Sequence, residues 1–123
     1  MDVWRRILVA MAGLMGAAGV GLGAASTHGG FGPNLLLSAT FLLLHAAPVL
    51  VIGLKGPPGR IWTLSGFLLA SGAILFGAQL SIGAILGASL FPMAAPTGGW
   101  GMILGWLAML PGALQAGVKQ ASG

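Results

Sequence analysis

Apolar positions along the chain gather into four long runs, separated by short stretches of glycine, proline and charge. The runs cover residues 7–25, 35–54, 61–82 and 100–116, and apolar residues continue past the third run toward Leu90. Within each run the apolar residues are continuous and do not alternate with polar ones. That argues against barrel strands, which read as about ten residues of alternating hydrophobicity. A helix rising about 1.5 Å per residue needs about 20 residues to cross about 30 Å of hydrocarbon. Backbone groups in lipid must be satisfied within the chain, which leaves helices. The pattern therefore predicts an all-α fold, a membrane four-helix bundle forming one integral domain over residues 1–123. The separators agree. They are His28-Gly29-Gly30-Phe31-Gly32-Pro33-Asn34, Lys55-Gly56-Pro57-Pro58-Gly59-Arg60, and Phe91-Pro92 through Pro96-Thr97-Gly98-Gly99, all rich in helix breakers.

Charge sharpens this picture. Only 5% of the chain is charged, against about 25% in soluble domains. Five basic residues and one acidic one cannot cover a water-soluble surface, so a soluble enzyme is not expected. Their placement is one-sided. Arg5 and Arg6 precede the first run, Lys55 and Arg60 lie between the second and third, and Lys119 follows the fourth. The other two connections carry no Lys or Arg. Under the positive-inside rule both termini are expected in the cytoplasm, the N-in/C-in arrangement of a bacterial inner-membrane protein. The net charge of +4 is scattered and forms no patch for nucleic acid. Arg5 and Arg6 followed by small residues at Gly23-Ala24-Ala25-Ser26 resemble a secretory signal. The run of about 19 residues exceeds the usual core of about 7–15 and is read as a retained span. Trp4, Trp62 and Trp100 fall near span ends, where indole rings favour the headgroup level, and Trp106 lies deeper.

Glycine is abundant, at 23 of 123 residues. In membranes small residues at four-residue spacing let helix backbones approach closely. Gly19 and Gly23 in the first span, Gly77, Gly83 and Gly87 in and after the third, and Gly101 and Gly105 in the fourth are the expected helix-packing positions. Pro48 and Pro111 lie inside spans two and four, each removing one backbone bond and freeing the carbonyls of Leu44 and Leu107.

Candidate chemistry is sparse. The single acidic residue, Asp2, lies outside every span, so the intramembrane carboxylate of a proton-coupled pump is missing. With no cysteine there is no thiolate metal site and no Cys-x-x-Cys-His haem attachment. His45 sits about nine residues, roughly 14 Å, from the cytoplasmic end of span two, and His28 closes span one. They differ in depth by about 15 Å, too far to share one iron or metal ion. Each is a weak candidate as a single cofactor ligand, with a core hydrogen bond for His45 and a helix cap for His28 as the plainer roles. No cofactor or metal is expected. Gln79, about 27 Å along span three, comes level with His28 and Thr97, and these three form an expected outer polar cluster.

The residues assembled so far resemble the YgdD-like family, small four-span inner-membrane proteins of unknown function with mitochondrial relatives. The resemblance rests on Gly21-Leu22-Gly23-Ala24-Ala25-Ser26-Thr27-His28, on Leu44-His45-Ala46, and on Gly72 through Gly77 with Phe76. Ala95-Pro96-Thr97-Gly98-Gly99 and the pair Gly105-Trp106 complete it. It spans nearly the whole chain. The chain departs from the family pattern at Ala95 and Thr97, where Thr and Ile are usual, and at Ala78-Gln79, where Gly-Ser is usual. The resemblance implies a four-span topology and no established activity.

These features favour a non-enzymatic accessory or structural subunit that packs against a larger inner-membrane complex, respiratory or photosynthetic. Its expected partners are membrane lipids and other integral subunits, not nucleic acid. An oligomeric channel or facilitator for a neutral solute or lipid is the alternative, and a single-His cofactor protein the third reading.

Overall fold

The computed structural model describes residues 2–122, and their side chains as far as residue 115. Four helices follow in order: α1 (Val3–His28), α2 (Pro33–Lys55), α3 (Arg60–Leu86) and α4 (Ala94–Ser122), with no strand among the described residues. α1, α2 and α3 are each long and apolar enough to cross a membrane.

Local chemistry sets the helix ends. The Asp2 carboxylate accepts the Arg5 backbone N–H and caps α1. Gly32, at φ 81°, turns the chain into α2, and Pro33 occupies the first helical position, where its missing N–H costs nothing. Gly87 ends α3 in the left-handed region, at φ 65°, and its N–H closes on the Gly83 carbonyl. The third span therefore stops at Leu86 and does not run on to Leu90. α2 and α4 continue through Pro48 and Pro111.

The fourth helix corrects the expectation drawn from breaker residues. Ala95-Pro96-Thr97-Gly98-Gly99 is helical, and α4 starts at Ala94, six residues before the predicted span at 100. Pro96 falls in the first turn, where a helix tolerates proline. Gly98 is buried against α3, so its small size serves packing.

α3 is the centre of the bundle. It contacts the other three helices, α1 pairs with α2, and among the described residues α4 makes close backbone approach to α3 alone. α3 presents two buried stripes. Gly66, Ala70, Ala73, Gly77 and Ser81 face α1 and α2, where Leu8 and Ile52 cover Gly66 and Leu42 covers Gly77. Ser65, Leu69, Gly72 and Phe76 face α4. The fully buried Leu8, Met15, Val49 and Leu69 belong to the main apolar core.

At the second stripe the backbones nearly touch. A Cβ on Gly72 would lie 2.6 Å from the Gly98 carbonyl oxygen and 2.7 Å from the Met102 nitrogen. One on Gly105 would lie 2.9 Å from the Leu69 nitrogen. The order of these pairs makes α4 antiparallel to α3. At the far end Gly112 rests on the Trp62 indole, whose N–H is buried without an acceptor among the described residues.

Arg5 and Arg60 line one groove, and Arg5 bonds the α2–α3 loop, so the basic ends of α1 and α3 lie together. The side chain of Lys119 lies outside the described residues.

Candidate functional site

His45 is the most elaborate polar centre in the interior. It is buried on α2, and both ring nitrogens are engaged. The Trp106 indole N–H, which can only donate, donates to Nε2 at 3.0 Å. Nδ1 therefore carries the hydrogen and donates to the Phe41 carbonyl at 2.8 Å, one turn earlier. This fixes a neutral tautomer with no free lone pair. Phe41 lies parallel to the imidazole, at a centroid distance of 5.8 Å, and tilts onto Phe76 of α3 at 4.8 Å. Three helices thus meet around one imidazole. The bond to Trp106 reaches α4 from α2 although their backbones stay apart. For His45 to bind a haem iron or a metal through Nε2, Trp106 would have to be displaced first.

The serines follow the same rule. Ser38 of α2 donates to the Gly77 carbonyl of α3 at 2.8 Å and shares a second hydrogen bond with Ser81. Ser65 of α3 donates to the Gly105 carbonyl of α4 at 2.7 Å. Buried hydroxyls thus cross two helix interfaces, and each ends on the carbonyl of a packed glycine. A glycine carbonyl lacks the side chain that would screen it from a neighbouring helix.

The outer polar cluster does not assemble. His28 is exposed in the last turn of α1 and makes no hydrogen bond among the described residues. It does not cap that helix. The Gly29 N–H closes it on the Ala25 carbonyl, while Ser26 and Thr27 take the carbonyls of Gly23 and Ala24. Gln79 holds the α3–α4 loop instead, donating to Ser89 at 3.0 Å and accepting from the Leu90 N–H at 2.8 Å. Thr97 donates to the Met93 carbonyl within its own first turn. The depth expected from counting residues does not join these three by any hydrogen bond among the described residues.

The glycines divide. A Cβ on Gly19 would meet Leu43 of α2 at 2.6 Å, and one on Gly77 would meet Leu42 at 3.0 Å. Gly101 and Gly105 of α4 pack against α3, and Gly23 makes an ordinary contact with Ala39. Gly83 and Gly87 correct the expectation of packing. Around Gly83 the nearest atom to an added Cβ is the Ala88 carbonyl oxygen in the adjoining loop, and Gly87 is a helix cap. Gly53, Gly66, Gly72 and Gly98 are packed more tightly than Gly77, with an added Cβ meeting its nearest atom at 2.6–2.9 Å. Their signal in the sequence is faint, because their partner positions lie on other helices.

One small-residue stripe has no partner among the described residues. Ala10, Gly13, Ala17, Gly21 and Ala24 recur at spacings of three and four along the outer face of α1, and all are exposed. Nothing lies within 4 Å of a Cβ placed on Gly13 or Gly21. Leu14 and Val20 flank the stripe, 63% and 65% exposed.

The chain matches no protein-family model and no solved structure. The geometry alone carries the functional reading.

Proposed function

We propose that this chain is a non-enzymatic accessory subunit of a larger inner-membrane complex, held there by the outer face of α1. The observation that carries this reading is the unpartnered stripe Ala10, Gly13, Ala17, Gly21 and Ala24. Lipid tails are as apolar as leucine, so membrane helices associate through close packing, and small residues at this spacing permit it. A face already smooth enough for a second helix matches the backbone-to-backbone contacts that the chain uses between α3 and α4.

The polar interior supports packing over chemistry. His45, Ser38, Ser65 and Ser81 spend their hydrogen bonds on each other, on carbonyls or on Trp106. This favours a structural role over a solute path along His45 or a His-ligated cofactor. α4 runs antiparallel along α3 from Phe76 to Trp62, which supports counting it as a fourth span. The shared end of Arg5 and Arg60 supports cytoplasmic termini, as in the small four-span inner-membrane family that the chain resembles.

Purification from the native membrane in mild detergent tests the reading. The wild-type chain should elute with larger integral subunits, and Ala17→Leu should elute without them while keeping its own helical content. A wild-type chain that always elutes alone would refute it.

A further inference from the structure

A groove of about 910 Å³ opens at the arginine-bearing end of the bundle, between the start of α1 and the start of α3. Its wall is apolar. Trp4 packs edge-on against Phe67 at 6.1 Å, and Leu64 stands beside them, 52% exposed. Arg5, Arg60 and Thr63 bring polar groups to the same groove. The Arg5 guanidinium is held in place through one nitrogen, Nη2, which donates to the carbonyls of Gly56 and Pro57. Those partners are neutral, so they orient the charge without cancelling it. The chain's one acid, Asp2, also lines the groove, and its carboxylate accepts the Arg5 backbone N–H. Two cations thus face one carboxylate already engaged in a helix cap. α3 begins behind Gly59 with no side-chain cap, so its leading N–H groups add partial positive charge at the same place.

We infer that this groove holds an anionic phospholipid of the surrounding leaflet, its phosphate at Arg5 and Arg60 and an acyl chain along Trp4, Leu64 and Phe67. Charge complementarity selects the headgroup, since arginine presents several N–H donors in a fork that suits phosphate oxygens. The apolar wall selects a ligand with a chain over a free anion. Basic pockets between membrane helices bind acidic headgroups in this way. The assignment does not depend on α1 docking a partner, because the small-residue stripe and the groove use different residues.

Native mass spectrometry of the full chain, released from bilayers of equimolar phosphatidylglycerol and phosphatidylcholine, tests it. The wild type should retain the anionic lipid preferentially, and Arg60→Gln should lower that preference about fivefold, the effect of one arginine near a charged headgroup. Arg6→Gln removes the same charge from an exposed position outside the groove and should leave the preference intact. Leu64→Gln keeps the charge and should reduce total retained lipid. Circular dichroism should show unchanged helix content in all three variants. A large excess of inorganic phosphate should displace nothing. Equal retention of both lipids by the wild type, an equal loss in Arg6→Gln and Arg60→Gln, unchanged retention in Leu64→Gln, or displacement by phosphate would each overturn the assignment.

Discussion

α3 meets its neighbours in two ways. Toward α1 and α2 it offers a shallow surface, Gly66, Ala70, Ala73 and Gly77, which is filled by large side chains such as Leu8, Leu42 and Ile52. Toward α4, glycines of both helices meet between larger neighbours, and backbone lies on backbone at Gly72, Gly98 and Gly101. The first interface can adjust, because leucine rotamers can shift to take up a small change. At Gly72 the second has only backbone within reach, and no side chain there can yield. The outer face of α1 repeats the glycine spacing of the second interface and meets nothing. Spacing alone therefore says little about a glycine's role; what lies across from it decides.

The strongest way to break this contrast is Gly72→Val. Its branched side chain would run into the Gly98 carbonyl and the Met102 nitrogen, with cost at the upper end of the usual overpacking range, about 3 kcal/mol. Equilibrium unfolding in mixed micelles should report it, with α4 separating from α3. Gly77→Ala, whose added methyl meets only the movable Leu42 side chain at 3.0 Å, should cost clearly less, and comparable losses would erase the distinction.

The next effect is smaller. Trp106→Phe removes the donor to His45 Nε2 while keeping an aromatic ring, and should destabilise by about 1 kcal/mol. In the double variant with His45→Ala the two losses should not add, which a double-mutant cycle would measure. For Ser38→Ala and Ser81→Ala the coupling should be about 0.6 kcal/mol, the typical worth of a hydrogen bond between membrane helices. The smallest effect on the fold sharpens the comparison from the other side. Ala17→Leu on the open face should change stability by less than about 0.5 kcal/mol, as a substitution away from packed contacts does. A large loss in the same unfolding assay would mean that the face is not free.

The helices were legible because hydrophobic run length and breaker residues are local signals. Three of the four predicted runs lie within observed helices that extend them by only a few residues at each end. The start of the fourth helix is hidden in the sequence because Pro96, Gly98 and Gly99 have loop chemistry, while the packing that holds Gly98 in a helix comes from α3. The same limit explains the polar residues. Depth along a span follows from counting residues, but rotation about the helix axis does not. Gln79 and Thr97 bond separate partners and His28 bonds neither, whereas His45 and Trp106, 61 positions apart, meet across the bundle.

The neighbour relations of α3 also bear on biogenesis. Apart from the meeting of α1 with α3, every helix pair in close backbone contact is consecutive along the chain. From α2 onward, each helix leaving the ribosome thus finds a neighbour already made, and the loop closures are short. α4 is made after the three helices before it, so a nascent chain stalled before Ala94 would hold all of the main apolar core except Met102 and leave Gly72 and Phe76 uncovered.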